Sequence, residues 1–519
     1  MARSTSLRVV AFVSFLWLGP ALSAQGLLDE YGDDERLLRQ DPLSNSVDAS
    51  EIGTVQLTLN DAQRIALENN VGLEIEEIAT DVARFNAVGV WGAFDPVLTA
   101  GGSYTDTEQP TANSIAGAAV LQSDVQQFDV GLTVPVVTGG SLALSWDHSN
   151  ENTNNQFQLV NPTTTDVVNV SFTQPLLSRA WMNYATSQQR ESGLVYRQQV
   201  ERYRQARQDL LLSVHNAYWD LIAAMEFFEV AQATLTLGRE QLGQNERRLE
   251  AGVGTEVEVL QAEANVAVRV EEWLAAKVAV GEAVDVLKGI LWPGTNAGAW
   301  DREVTPTTEL PEADTRHVVP WRHSVEVALA RRSNLRQQRT QIEIQEEVLT
   351  RSRSERWPVL DLVLAATGRG VSGRSDQSRQ DAFGFEFPTT SASLNFSFPL
   401  LNRSARFAER AARASLRSAR LTYEQIESQV VEEVRRAVRQ VQYQAIAVKA
   451  ARVSLDLAER QLDAEEARLR EGLSTTFEVL DFQQQLASAL SSLTAARVAY
   501  AKALAGLRAA EGWLGEPRP

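Results

Sequence analysis

The sequence predicts an α+β membrane protein, in which strands from three subunits close a twelve-stranded outer-membrane β-barrel. A long α-helical coiled-coil barrel would continue this β-barrel into the periplasm. Three observations predict this fold class: the chain carries one plan of helices and strands twice, its helices are unusually long, and its strands are too few to close a barrel alone. Repeats are considered first because they fix the architecture before any single residue is interpreted.

The two copies are visible as short motifs that recur in the same order. Their offset is 262 residues before the strands, 224 at the end of the strands and 220 at the following helix turn. The fall from 262 to 224 means that the first copy carries 38 additional residues in its strand region. The recurring pairs are Ile65–Leu67 with Val327–Leu329, Pro96–Leu98 with Pro358–Leu360, Pro175–Leu177 with Pro399–Leu401, and Glu258–Leu260 with Glu478–Leu480.

The N-terminus has the pattern of a secretory signal peptide, predicted over residues 1–23. Two arginines precede the apolar run Val9–Leu18, and small residues follow at the cleavage site. The alternative, a membrane anchor, is disfavoured because the run is too short to cross about 30 Å of hydrocarbon. Residues 24–55 form an acidic tail, and no later stretch is predicted to be a transmembrane helix. Any membrane segment must therefore be built from strands.

Composition excludes several functional classes. The chain has no cysteine, four scattered histidines and a net charge of −18. Structural disulfides, thiolate metal sites and cysteine nucleophiles are thus excluded, and nucleic acid is disfavoured as a partner. We expect no catalytic residues, no metal site and no cofactor, because the carboxylates form no constellation with a nucleophile or base.

The helices are predicted in the same order in both copies. The first repeat, 56–291, has a helix over 57–92, a helix of about 70 residues ending at Glu250, and a returning helix over 256–291. A linker over 292–320 leads to the second repeat, 321–513, with its long helix over 402–470; residues 514–519 form a C-terminal tail. At 1.5 Å per residue a long helix spans roughly 105–110 Å, which two stacked shorter helices match. Helices of an ordinary bundle, the alternative, are rarely so long.

Alternating apolar and polar residues predict about two strands per copy, and therefore about four per subunit. Four strands cannot close a barrel, and unpaired strand edges are not tolerated in lipid. Three subunits would supply twelve strands. The additional residues of the first copy hold a hairpin over 129–150, which either adds to the barrel or lies outside it. A soluble β-domain is the alternative to a membrane barrel.

At the two helix turns the chain resembles the TolC family of outer-membrane efflux and secretion ducts. The resemblance covers residues 57–513 and is most specific in a motif that occurs at both turns. It reads Arg-x-x-x-Gly-Val-Gly-Thr-x-x-Glu-Val-Leu from Arg248 and Arg-x-x-x-Gly-Leu-Ser-Thr-x-x-Glu-Val-Leu-Asp from Arg468. In that family these turns form the periplasmic tip, which contacts an adaptor protein, and the start of each returning helix lines a closable entrance.

The resemblance implies roles for particular residues. Glu478 and Asp481, with Glu258 in the first copy, match the acidic constriction of the entrance. One departure concerns Ser474, which stands where some members have a gating arginine. Another is the absence of cysteine, which rules out the lipid anchor of many relatives. The residues that match the adaptor-contact tip are Arg248, Gly252, Val253, Arg468, Gly472, Leu473 and Ser474.

The function implied is a passive exit duct of a tripartite efflux or type I secretion system. Its partners would be two further copies of the chain, a periplasmic adaptor, an inner-membrane transporter and outer-membrane lipid, with no nucleic acid. The alternative is a periplasmic coiled-coil scaffold without a pore. The exported substrate and the class of pump are not encoded in any pattern of this chain.

Overall fold

A computed structural model describes residues 55–111, 118–294, 300, 302–313 and 320–515. The predicted signal peptide, the acidic tail before residue 55 and residues 516–519 lie outside the described residues. The described chain divides into two units. One comprises Asp81–Arg197 and Thr340–Arg420, and the other comprises 55–80, Gln198–Arg339 and 421–515.

The elements alternate between helices and strands along the chain. In order they are β1 (Val55–Leu57), α1 (Leu59–Asn69), α2 (Val71–Gly89), a 3₁₀ helix (Val90–Phe94), β2 (Val97–Pro110), β3 (Val120–Pro135), β4 (Ser141–Thr153), β5 (Thr163–Pro175), α3 (Met182–Ala185), α4 (Ser187–Glu250), α5 (Glu256–Leu291), β6 (Val304–Pro306), α6 (Trp321–Arg331), α7 (Ser333–Glu355), β7 (Val359–Ser372), α8 (Ser375–Phe383), β8 (Pro388–Ser397), α9 (Arg403–Arg470) and α10 (Thr476–Glu511).

The long helices are present. α4 has 64 residues and α9 has 68, while α5 and α10 have 36 each. The predicted helices over 57–92 and, in the second repeat, over about 321–356 are each interrupted by a residue with extended backbone. These residues are Asn70, between α1 and α2, and Arg332, between α6 and α7. The Asn70 side chain accepts a hydrogen bond from the Leu73 amide at 3.0 Å, which starts α2 anew.

The first unit contains an antiparallel sheet of six strands in the order β2-β3-β4-β5-β7-β8. The prediction of about four strands per subunit is therefore wrong for this sheet. The hairpin β3–β4 does not lie outside it, because β3 pairs with β2 from Val97↔Thr133 and β4 pairs with β5 from Ser141↔Thr173. Both strands follow the same two-residue alternation as their neighbours, so they extend the sheet without a break in register.

The segment between β7 and β8 also differs from prediction. The sequence predicts a strand near Val359–Ala366 and a polar loop over about 367–388, but β7 continues to Ser372 and the predicted loop contains α8. α8 packs against β5 and β7. Gly370 permits this approach, since a Cβ built there would lie 1.9 Å from the Ser378 carbonyl oxygen.

The second unit has its core where short strands meet the long helices. β1 and β6 form a two-stranded parallel ladder. The buried Tyr218 hydroxyl donates to the Leu57 carbonyl at 2.8 Å and accepts from the Thr307 and Thr308 amides at 3.2 and 3.0 Å. Apolar side chains from α1, α4 and α5 surround it, and include Ala62, Ala66, Val214, Leu221, Leu287 and Leu291.

Candidate functional site

The first helix turn joins α4 to α5 through residues 251–255. Gly252 has φ +77°, a left-handed conformation that ends the helix at low cost. Its amide donates to the Leu249 carbonyl at 2.9 Å, and the Val253 amide donates to the Arg248 carbonyl at 3.0 Å. These two bonds form a Schellman motif, so Gly252 and Arg248 have a structural role as well as a place at the turn.

The second turn joins α9 to α10 through residues 471–475 and has the same geometry. Gly472 has φ +74°. Its amide donates to the Leu469 carbonyl at 3.0 Å, and the Leu473 amide donates to the Arg468 carbonyl at 2.8 Å. The Arg468 guanidinium lies 3.3 Å from the Glu465 carboxylate and 3.4 Å from the Leu473 carbonyl. This side chain therefore braces the second turn.

Apolar side chains project from both turns. The side chains of Val253 and Leu473 are each exposed, at 70%, although the backbone amides of both residues are hydrogen bonded within the turn. Val257 and Phe477, on the first turns of α5 and α10, are also exposed. These two residues were not predicted as part of the tip, although each is an apolar residue within the polar start of a helix. Rigid turns with exposed apolar side chains form surfaces suited to another protein.

The two glutamates of the motif cap the N-termini of the helices in which they lie. The Glu258 carboxylate accepts from the Thr255 amide at 3.2 Å, and that of Glu478 accepts from the Thr475 amide at 3.1 Å. Each threonine side chain in turn accepts from the amide of its glutamate, which completes a capping box. The Thr-x-x-Glu spacing that predicts this cap is present in the sequence at both turns.

Ser474 distinguishes the second turn from the first, where Gly254 stands. The Ser474 hydroxyl lies 2.8 Å from the Glu478 carboxylate and also contacts the buried Glu465. Its hydrogen bond, together with that of the Thr475 amide, holds the pKa of Glu478 below its usual range. Glu478 is therefore ionised at neutral pH.

Asp481 lies three residues after Glu478, and its side chain is exposed. Its carboxylate accepts from the Gln485 side chain at 2.7 Å. Glu478 and Asp481 are three residues apart in α10, a spacing that places both on one side of the helix. Two carboxylates so placed can attract cations.

Over half of its length the six-stranded sheet has one largely apolar and one largely polar face. Strand pairing keeps residue parity throughout, so even-numbered residues of the six strands share one face, the even face, and odd-numbered residues share the other, the odd face. This half contains Val97 and the turn between β3 and β4. Here the even face carries Leu98, Ala100, Val130, Leu132, Leu142, Leu144, Val170, Phe172, Leu362, Leu364, Leu394 and Phe396. The odd face carries Thr99, Ser103, Gln127, Thr133, Ser145, Asn169, Ser171, Thr367, Ser391 and Asn395.

Among the residues that the structure describes, no group of histidine and carboxylate side chains could hold a metal ion. One helix, Ser187–Glu250, contains a stretch with a mean hydropathy of 1.2, enough to cross a membrane by length and composition alone. The expectation that no later stretch reaches this level was too strict. A single such stretch is weak evidence for a membrane helix.

The model of the outer membrane efflux protein family matches residues 64–291 and 325–512, which include both helix turns and the whole six-stranded sheet. The chain belongs to this family. The resemblance found in the sequence is thereby confirmed, as is the predicted location in the outer membrane and periplasm.

Named relatives of this outer membrane efflux protein include secretion proteins. The chain is 25% identical over 323 residues to the alkaline protease secretion protein AprF of Pseudomonas aeruginosa, covering 61% of this chain and 64% of AprF. It is 24% identical to the proteases secretion protein PrtF of Dickeya chrysanthemi, over 67% of this chain and 73% of PrtF. It is 23% identical to the outer membrane protein TolC of Escherichia coli, over 67% of this chain and 69% of TolC. The match thus spans about two thirds of the length of these relatives.

Solved structures share the fold. The outer-membrane channel OprN matches with a TM-score of 0.64 and 17% identity, over 91% of this chain and 97% of OprN. The CmeC outer membrane channel of Campylobacter jejuni matches with a TM-score of 0.65 and 16% identity, over 91% of each chain. The predicted α+β outer-membrane class is confirmed at this level.

Proposed function

We propose that this outer membrane efflux protein is a homotrimeric exit duct of a tripartite efflux or type I secretion system. It would conduct substrates passively, with energy supplied by an inner-membrane transporter. Residues 56–291 and 321–513 would be its two structural repeats, joined by 292–320. The relatives AprF and PrtF, named as secretion proteins, favour the secretion role.

The observation that carries the proposal is the polarity of the sheet. Its even face is apolar where its odd face carries serine, threonine and asparagine. Closing such a sheet with the even face toward lipid gives a wall with a wettable interior, as outer-membrane barrels require. A periplasmic scaffold without a pore would have no use for six strands of this pattern.

Single-channel recording in planar bilayers tests the duct. We expect the purified protein to conduct, and we expect conductance to rise when the entrance is loosened by Glu478→Ala together with Thr475→Ala. Both changes remove the α10 cap without altering the sheet. If neither the natural chain nor this variant forms channels, the duct proposal fails and the scaffold is favoured.

At the tips, we propose that the two turns contact a periplasmic adaptor. The exposed side chains of Val253 and Leu473 and the rigid Schellman turns beneath them support this assignment. A photo-crosslinking residue at Leu473 should capture an adaptor in cells. The same probe at Tyr443, which is comparably exposed in the middle of α9, is the control and should not. Capture at Tyr443 but not at Leu473 would contradict the assignment.

We propose further that Glu478 and Asp481, with Glu258, form an acidic entrance. Three copies of charged carboxylates would focus a negative potential. Glu478→Gln with Asp481→Asn should lower the preference for cations over anions, measured as the reversal potential in a salt gradient. Glu432→Gln with Asp456→Asn removes the same charge from α9 and should leave the reversal potential unchanged.

A further inference from the structure

Because the hairpin β3–β4 lies within the sheet, its two strands must be counted in the wall of any barrel that the sheet forms. All 14 residues of β2 pair with β3. Both edges of β5 are occupied, by β4 on one side and by β7 on the other. A twelve-stranded trimer would need β2 to pair with β5 directly, so the β2–β3 and β4–β5 ladders would have to break.

We propose that this protein forms an 18-stranded barrel, in which each of three subunits contributes six strands. The inference rests on the proposed trimeric duct, but it differs from the twelve strands expected by resemblance. The partner at each open edge of the sheet is a second copy of the same chain, with β8 of one subunit pairing with β2 of the next.

The faces of the hairpin fit a place in the barrel wall. On the even face Val130, Leu132, Leu142 and Leu144 continue the apolar band between Ala100 on β2 and Val170 on β5. On the odd face, Gln127, Thr133 and Ser145 continue the polar lining. For a hairpin outside the barrel wall, we would not expect apolar residues to continue the apolar band and polar residues to continue the polar lining.

The two open edges are complementary in one register. Aligning Ser397 with Val97, at the ends of β8 and β2 that adjoin the helices, sets Phe396 beside Leu98 and Leu394 beside Ala100 on the even face. It sets Asn395 beside Thr99 and Ser391 beside Ser103 on the odd face. Pro388, which has no amide hydrogen, falls at the far end of the ladder, where an edge strand tolerates it.

This register gives an ordinary strand tilt. Within the sheet, Val97 lies level with Ser391 through the successive partners Thr133, Ala143, Ser171 and Ala365. Pairing Ser391 with Ser103 of the next subunit shifts the chain by six residues per six strands. With a rise of about 3.3 Å and a strand spacing of about 4.8 Å, the tilt is about 35°, within the range of natural barrels.

The proposed barrel is wider than a twelve-stranded one. Because diameter grows roughly linearly with strand number, 18 strands give about 1.5 times the diameter and about 2.2 times the cross-section.

The test is electron cryo-microscopy of the full chain in lipid nanodiscs, with the subunit number measured separately by mass photometry. Eighteen strands around three subunits is the expected result. Three subunits with twelve strands, and β3–β4 outside the wall, would overturn the inference while leaving the duct intact; a number of subunits other than three would overturn the trimer itself.

Three variants test the inference without a cryo-microscopy map. Since the chain has no cysteine, a cysteine pair tests the register of the β8–β2 seam between subunits. Ser103→Cys with Ser391→Cys should give disulfide-linked trimers on denaturing gels, whereas Ser103→Cys with Ser397→Cys, six residues out of register, should not. Linkage through the second pair alone would overturn this register, and a deletion tests the number of strands. Removing residues 118–155 should yield a narrower barrel. Neutral polymers added from the strand-loop side should then be excluded at a smaller radius than in the natural chain. Equal exclusion radii for the natural and shortened chains, with both folded, would contradict the proposal.

Discussion

At the scale of single residues, buried polar side chains of the second unit contribute to its free energy of unfolding and to the pH dependence of that free energy. His215 is buried, and its imidazole lies 2.5 Å from the Gln63 side chain. Burial, with a smaller contribution from Arg508, lowers the pKa of His215 to about 4. The folded protein therefore holds this imidazole neutral at pH values where an unfolded chain would protonate it.

This shift predicts a pH dependence of stability. Between pH 6.5 and about 4 the unfolded state binds the extra proton, so the contribution of His215 is present above pH 6.5 and is lost as the pH falls. The loss is on the order of 3 kcal/mol at its largest. His215→Gln should flatten the dependence of the thermal midpoint on pH in this window. His323→Gln, at an exposed histidine of α6, should leave it as steep as in the natural chain.

The Tyr218 hydroxyl predicts a second stability effect. It satisfies one carbonyl and two amides of the β1–β6 segments. Tyr218→Phe keeps the ring but leaves the buried Leu57 carbonyl and the part-buried amides of Thr307 and Thr308 without this partner. The free energy of unfolding should therefore fall by about 1–3 kcal/mol. Tyr443→Phe, at an exposed site of α9, should change it by less than a few tenths. Equal midpoints for Tyr218→Phe and the natural chain would show that water replaces the hydroxyl.

At the scale of elements, much of the fold could be predicted from the sequence, for identifiable reasons. The helices α5 and α10 begin close to prediction because a glycine-containing turn precedes each of them. The strands of β3–β4 were recognised by alternation, but alternation does not state which strand lies next to which. The number of strands in the sheet could therefore not be predicted. It depends on which strands pair, and this is decided by contacts between residues far apart in the chain.

The candidate site was predictable to a similar degree. The residues at both turns could be named because the motif occurs twice. Their geometry could not, since the bond from Ser474 to Glu478 depends on how the turn closes. α8 was missed because its sequence is polar and short, and it forms a helix by packing on Gly368 and Gly370 rather than through its own pattern.

α8 supplies a prediction at this scale. Gly370→Ala places a methyl group against the Ser378 carbonyl, so α8 should detach from β5 and β7. Hydrogen exchange of the amides in 375–383 should then become at least tenfold faster. Gly102→Ala is the matched control, since its new methyl group would make only ordinary contacts, with the Phe128 ring at 3.4 Å and the Gln127 carbonyl oxygen at 3.8 Å. Unchanged protection of α8 in Gly370→Ala would show that the sheet can yield instead.

At the scale of the whole molecule, the uncovered apolar side chains of α9 predict subunit contacts. Ile446, Val453 and Leu457 are exposed in the single chain at spacings close to helical repeats. Ile446→Asp should shift the mass distribution in detergent from trimer toward monomer, because the carboxylate would be buried at the proposed interface. Ser454→Asp, at an exposed polar site of the same helix, should leave it unchanged. A stable trimer in Ile446→Asp would place the interface elsewhere.

The open edges β2 and β8 also bear on how the protein reaches its membrane. A lone subunit that entered lipid would carry two rows of backbone groups without partners, each costing several kcal/mol. Insertion of one chain at a time is thus unfavourable, and assembly must accompany or precede it. The rate of membrane integration should then rise more steeply than linearly with the amount of newly exported chain. Biogenesis of this duct would behave as a high-order reaction, sensitive to small changes in expression.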